Sequence, residues 1–238
     1  MRSGGFHITR FGDVPWERRI EDNWPPLVKR LHRDAVLDLS MNVVWYPRGA
    51  VEPRHVHPGT HATWVIVGGA TMNGETIGPS DLVFGAGGIA HGPLTYEMGC
   101  MLFSSIHGGA FHRAVGGKDS LPATSGGQLS GLFSYRERRA VAGPKGIGAG
   151  NLRTWVVNDR VRRYGAWLSK WSAGSKSLTH VHQGGHAGFL MSGRALVGDE
   201  DLRPWDLLYA APDHTHGPVE FLEESVIVMI GIGDVSIF

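Results

Sequence analysis

The chain has 238 residues, 42% hydrophobic and 19% charged, which suits one large or two small globular domains and excludes intrinsic disorder. Lys and Arg number 23 against 22 Asp and Glu, so a formal charge of +1 leaves no basic footprint for nucleic acid. No run approaches the roughly 18 apolar residues of a membrane span, Met1–Gly12 has no signal-peptide core, and the single Cys100 excludes an internal disulfide, so a cytoplasmic small-molecule enzyme or binding protein is expected.

Residues 1–35 read as an N-terminal extension, with a short helix expected within Trp16–His32 and broken at Pro25-Pro26. Residues 36–115 read as a first all-β unit. Its apolar runs are Leu39–Pro47, His61–Val67, Leu82–Phe84 and Cys100–Ile106, separated by Gly49, Gly68-Gly69, Gly78-Pro79 and Gly85–Gly88. Gly116–Gly150 is rich in Gly, Ser and basic residues; it reads as a connection carrying one strand around Gln128–Glu137. Residues 151–238 form a second unit with runs Ala166–Trp171, His186–Met191, Asp206–Tyr209 and Val226–Ile232. Short strands at this spacing predict a sandwich or barrel.

The two units are copies. His55-Val56-His57-Pro58-Gly59-Thr60-His61-Ala62 recurs 125 residues later as His180-Val181-His182-Gln183-Gly184-Gly185-His186-Ala187, and His91-Gly92-Pro93 recurs as His216-Gly217-Pro218. Between His55 and Pro93 the copies align without a gap and 16 of 39 positions are identical, which establishes a duplication.

The histidines carry the chemistry. On a strand, side chains two apart share a face, so His55 and His57 point the same way. His61 follows the Pro58-Gly59-Thr60 turn and can fold back beside them, and His91 arrives from a later hairpin. His180, His182, His186 and His216 repeat the set. Converging imidazoles suit a first-row transition metal (Fe, Ni, Cu, Zn or Mn), whereas magnesium and calcium want oxygen ligands. Neither copy has lost a histidine, so two metals per chain are expected. The linings differ (Trp64 against Phe189, Val65 against Leu190, Ile89 against His214), and with them the substrate pockets and the division of labour. Trp64, Val65, Phe189, Leu190 and His214 are the pocket candidates. Asp81 and Asp206 are expected to fix turns, Cys100 to be a buried small hydrophobe, and His107 and His112 to lie in loops or at the surface. No carboxylate or tyrosine is placed beside the histidines by spacing; Glu52, Glu75, Glu97 and Tyr96 are left as rim candidates for proton transfer.

These residues resemble the cupin superfamily. Gly49, His55, His57, His61 and Gly68, and again Gly174, His180, His182, His186 and Gly193, fit the spacing of its first motif, with His61 and His186 standing where the family usually has Glu. The second motif keeps His91 and His216, but has Ala86 and Ala211 at its proline position and Thr95 and Glu220 at its closing Asn. The resemblance implies two jelly-roll barrels, in a superfamily whose barrels commonly pair, so a homo-oligomer is compatible with it. Carboxylate-poor sites of this kind look like those of carbon–carbon-cleaving dioxygenases. The reading is a non-haem Fe(II) dioxygenase acting with dioxygen on a diketone, hydroxy-ketone or phenolic substrate that chelates as its enolate. The alternatives are a non-redox Zn or Ni lyase, isomerase or hydrolase, and a non-catalytic small-molecule-binding bicupin.

Overall fold

The computed structural model describes residues 5–18, 26–109, 113–115, 131–133, 141–142, 150–159 and 163–233. Among these the secondary structure is β-strand apart from one short 3₁₀ turn at Phe11–Asp13. Among the described residues no helix is long and apolar enough to cross a membrane. The chain divides into two compact units, Val14–Glu137 and a discontinuous one made of Met1–Asp13 with Arg138–Phe238.

The first unit has a seven-stranded antiparallel sheet. Its order is Gly131–Phe133, Leu82–Gly85, Thr60–Gly68, Cys100–His107, Leu39–Tyr46, Leu27–Asp34 and Glu17–Arg18. A four-stranded sheet of Ala50–Glu52, Leu94–Tyr96, Ala70–Met72 and Glu75–Ile77 completes it. Inward residues of the two sheets meet in one apolar cluster that includes Tyr46, Val65, Met72, Val83, Leu94, Cys100 and Leu102. Burying side chains of this size stabilises the fold by ~1.5–3 kcal/mol each. Cys100 is fully buried there, and burial pushes its thiol up to about 12, so it behaves as a small hydrophobe.

The second unit repeats the plan. Its seven-stranded sheet runs Phe6–Thr9, Leu207–Ala210, Gly185–Ser192, Ser225–Ile232, Tyr164–Trp171, Asn151–Asp159 and Val141–Ala142, with Glu200–Leu202, Ala195–Val197 and Val219–Phe221 beside it. Leu39–Tyr46 and Tyr164–Trp171, Cys100–His107 and Ser225–Ile232, and Leu94–Tyr96 and Val219–Phe221 are all related by the offset of 125. Irregularities repeat too: the pairing skips Ile66 in one copy and Met191 in the other, and skips Leu31 and Val156 likewise. The glycine closing each first motif has a structural reason. Gly68 and Gly193 sit at φ 83° and 88°, and a Cβ would come within 2.0 Å of the Gly99 carbonyl oxygen or 2.2 Å of Ser225 Oγ.

Asp81 and Asp206 fix turns as expected, accepting from the N–H groups of Gly78 and Arg203 at 3.0 and 3.1 Å. The N-terminal region departs from the sequence reading in two ways. Leu27–His32 is strand where a helix was expected, because Leu27–Asp34 pairs along Leu39–Tyr46; residues 19–25 of that expected helix lie outside the described residues. The stretch read as one extension is also shared out: Leu27–Asp34 joins the first unit, whereas Phe6–Thr9 pairs with Leu207–Ala210 of the second. Of the strand expected around Gln128–Glu137, only Gly131–Phe133 is described. His112 is outside the described residues, and His107 hydrogen-bonds the Leu37 carbonyl.

Candidate metal centres

A backbone bridge builds each site. His55 and His91 exchange both N–H···O bonds at 2.9 Å, and His180 and His216 do so at 3.0 and 2.9 Å. This sets two imidazoles side by side, and the x between His55 and His57 brings the third ring to the same face, with centroids 4.9 Å apart. The result is two groups, His55–His57–His91 and His180–His182–His216, in each of which one ring nitrogen per residue lies within 4.8 Å of the others. Five of these six are buried, and His180 is half-buried.

The outward nitrogens orient the rings. His55 Nδ1 stands 2.8 Å from the Pro53 carbonyl, His91 Nδ1 3.2 Å from that of Ile89, His180 Nδ1 2.7 Å from Leu178 and His216 Nδ1 3.2 Å from His214. With Nδ1 donating to a carbonyl, Nε2 keeps its lone pair for the centre of the group, the tautomer a metal needs. Burial, reinforced by the neighbouring histidines, holds His182 down to about 3 and His216 to about 4, so both are neutral at pH 7, the form a metal would require. No hydrogen bond meets either nitrogen of His182 or Nε2 of His216. Buried nitrogens left bare in this way fit a metal ion, since unpaired buried polar groups are otherwise costly.

The fourth histidines differ. His61 Nε2 lies 2.9 Å from His91 Nε2, and its Nδ1 meets Thr63 Oγ1 at 3.1 Å, which in turn meets Ser104 Oγ at 2.9 Å. Two nitrogens bound cis to one metal at ~2.1 Å stand about 3.0 Å apart, so His61 fits the set. His186 packs on His182 with centroids 4.1 Å apart, but 5.3 Å from His216, and its Nδ1 has no partner.

The cavities differ more. The first is about 430 Å³ and is lined by His55, His57, His61 and His91 together with Ser40, Asn42, Val44 and Ser104. The second is about 50 Å³. At offset 125, Asn42 becomes Trp167 and Ser104 becomes Met229, and these larger side chains take up the space.

Two further residues join the first site. Tyr96 donates its hydroxyl to Glu52 Oε2 at 2.8 Å, and Glu52 Oε1 stands 3.7 Å from His55 Nε2. Both line the large cavity. Spacing left them as rim candidates because they are 44 residues apart; pairing of Ala50–Glu52 with Leu94–Tyr96 brings them together. Their counterparts are Ser177 and Phe221, so the pair exists in one barrel. Glu75 and Glu97 line neither histidine cavity.

Trp64, Val65, Phe189, Leu190 and His214 are also absent from both linings. His61 and Thr63 face the cavity, so Trp64 is on the opposite face, fully buried and 6.3 Å from the Phe103 ring. Val65 and Leu190 share the inward phase but are packed within the apolar clusters that back the cavities. His214 is exposed.

No family model matches the sequence, and no curated protein does. Solved structures match in shape. A candidate dioxygenase from Nostoc punctiforme superposes with a TM-score of 0.81 at 11% identity, over 97% of this chain and 83% of that one. Oxalate decarboxylase from Bacillus subtilis gives 0.66 at 15% identity, over 98% of this chain and 77% of that one. A second structure of that decarboxylase, described for its Mn(II) centres, gives 0.65 at 14% identity, over 98% and 78%. With shapes shared across such low identity, and with one offset relating its strands, bulges and histidines, the chain has the cupin fold, twice over.

Proposed function

We propose that the protein is a metal-dependent enzyme whose reaction takes place in the first barrel, as a non-haem Fe(II) dioxygenase cleaving a carbon–carbon bond in a diketone, hydroxy-ketone or phenolic substrate. The observation that carries this reading is the convergence of His55, His57 and His91, with His61 beside them, on the wall of a cavity of about 430 Å³. Four neutral imidazoles leave the charge of a divalent ion undiminished, which favours an anionic chelating substrate such as an enolate. Bound there, iron would supply Lewis acidity and redox chemistry towards dioxygen. The chain's own residues do the rest: Val44, Leu102 and Ile106 give the cavity apolar walls that exclude water, and Ser40, Asn42 and Ser104 offer hydrogen bonds that orient the substrate's oxygens. The candidate dioxygenase among the neighbours in shape supports the same reaction class.

Glu52 and Tyr96 favour a second reading, a Lewis-acid lyase or isomerase using Mn, Zn or Ni. Glu52 Oε1 can take or return a substrate proton, with the Tyr96 hydroxyl holding the carboxylate in place through Oε2. The decarboxylase neighbours and their Mn(II) centres accord with it.

The test is metal analysis of untagged protein purified without added metal, followed by oxygen-electrode screening of β-diketones and hydroxy-aryl ketones. Iron, with one dioxygen consumed per substrate, is the expected result. His57→Ala should abolish uptake, whereas His182→Ala should remove one metal and leave uptake largely intact. Oxygen-independent turnover that Glu52→Gln abolishes while the melting temperature holds would establish the second reading instead. A chain without any metal would end both.

A further inference from the structure

Rungs of paired residues floor the cavity of the first barrel. Thr60–Gly68, Cys100–His107, Leu39–Tyr46 and Leu27–Asp34 lie side by side in its large sheet. One rung runs His61, Ile106, Ser40, Arg33, and the next runs Thr63, Ser104, Asn42, Arg30. All eight of these residues line the cavity. The floor therefore starts at buried His61 and ends, three strand spacings or ~14 Å along the sheet, at two exposed arginines.

A bulge puts both arginines on that floor. Residues three apart on a regular strand face opposite ways, but the pairing of Leu27–Asp34 skips Leu31, so Arg30 and Arg33 take the same side. Their partners Asn42 and Ser40 are two residues apart, which spaces the arginines by ~7 Å along the strand, close enough for both guanidiniums to reach one carboxylate. The second copy keeps the bulge but has Trp155 and Asn158 at these positions, so the pair belongs to one barrel. Arg30 donates through Nε to Glu17 at 2.9 Å, which leaves its terminal nitrogens to the cavity. Asp38 also lines the cavity, but it lies past the pairing of Asp34 with Leu39, on the far side of Arg33 from Arg30. Among the described residues it forms no ion pair with either arginine.

We propose that Arg33, with Arg30 beside it, binds a carboxylate of the substrate, so that the substrate class is a chelating enolate or hydroxy-ketone that also carries a carboxylate a few bonds away. This rests on the reading of the first cavity as the substrate site and adds an orientation to it. The chelating oxygens turn to the His55–His57–His91 group, the carboxylate to the sheet edge, and the carbons between them lie against Ile106 and Leu102. Imidazole and guanidinium reach into the cavity from its two ends, so a short linker spans what is left. The arginine's parallel N–H groups match a carboxylate in two bonds, which a lysine could not do.

The test is calorimetric titration of the full-length, zinc-loaded protein with succinylacetone, whose enolate chelates and whose carboxylate stands two methylenes away, and with its methyl ester. The acid is expected to bind at least tenfold more tightly than the ester. That ratio should fall towards one in Arg33→Met, invert in Arg33→Glu, and shrink as salt screens the exposed guanidiniums. Equal wild-type affinities for acid and ester, or a preference that survives Arg33→Met, overturn the proposal and leave the reading of the first cavity in place. If neither variant folds, the wild-type salt series decides, and a preference that salt does not reduce overturns the proposal. Acetylacetone, which has no carboxylate, tests the underlying reading separately. It is expected to bind the wild type and not His57→Ala. If none of the three compounds binds, or if their binding persists in His57→Ala, that reading fails and the proposal with it.

Discussion

His61 and His186 are equivalent by sequence, yet two neighbours set them apart. Thr63 holds the His61 ring where the second copy has Gly188, and Gly85 leaves room where the second copy has Ala210. A Cβ at Gly85 would lie 2.0 Å from His61 Nε2 and 2.9 Å from His91 Cε1. Gly85→Ala should thus push His61 off its partners and lower metal affinity at the first site by roughly 10- to 100-fold, as losses of supporting contacts do. Competition with a chromophoric chelator would measure it, and an unchanged affinity would remove His61 from the ligand set. The second site's histidines make a pH prediction. His182 and His216 have folded values of about 3 and 4 against an ordinary 6.5. Above 6.5 they are neutral folded or unfolded and cost nothing. Below it the unfolded chain takes up protons that the folded one refuses. Metal-stripped protein should therefore lose stability as pH falls from 6.5 to 5, by ~1.4 kcal/mol per unit for each histidine. His216→Phe should flatten that slope, and a melting temperature constant over the range would contradict it. At this scale the sequence exposed the histidines through spacing alone. It hid Gly85, Thr63 and the Glu52–Tyr96 contact, which depend on strands paired across long separations.

Among the elements, strands with clean alternation were legible and interrupted ones were not. Leu39–Tyr46 alternates in burial from Leu39 to Val44 and pairs over its whole length, so its bounds fall one residue from the expected run. Leu27–Asp34 carries a bulge between Arg30 and His32. The extra residue shifts the phase, which destroys the period-two signal and leaves a mixed run easily taken for a helix. Phe6–Thr9 is harder still: four half-buried residues whose partner lies at the far end of the sequence. What fixes it is visible only in the fold. Arg10 reaches Glu200 and Asp206, and the Phe11 N–H donates to Asp206 Oδ1 at 2.9 Å. Phe6 also stacks on His216, with centroids 6.2 Å apart. Removing residues 1–13 should destabilise the second unit by about 2 kcal/mol, roughly 10 °C in its melting step, while the first unit's transition stays put. Calorimetry of the truncated chain would show this, and a uniform shift of both transitions would contradict it.

For the whole molecule, duplication explains why so much was readable. Most of the strands are written twice at one offset, so a weak signal in one copy is reinforced by the other. The same comparison shows where the copies have separated: Asn42 against Trp167, Glu52 against Ser177, Tyr96 against Phe221, Val28 against Arg153. None of these pairs could be weighed before the cavities were known, because a substitution reveals its effect only when the space around it does. The discontinuous second unit has one more consequence. Its first strand is made roughly two hundred residues ahead of its partner Leu207–Ala210, a wait of about 10–40 s at ordinary elongation rates. During that interval the first barrel can complete itself, while Phe6–Thr9 waits with its edges bare. The second unit can therefore close its sheet edge only after the whole of the first has been made.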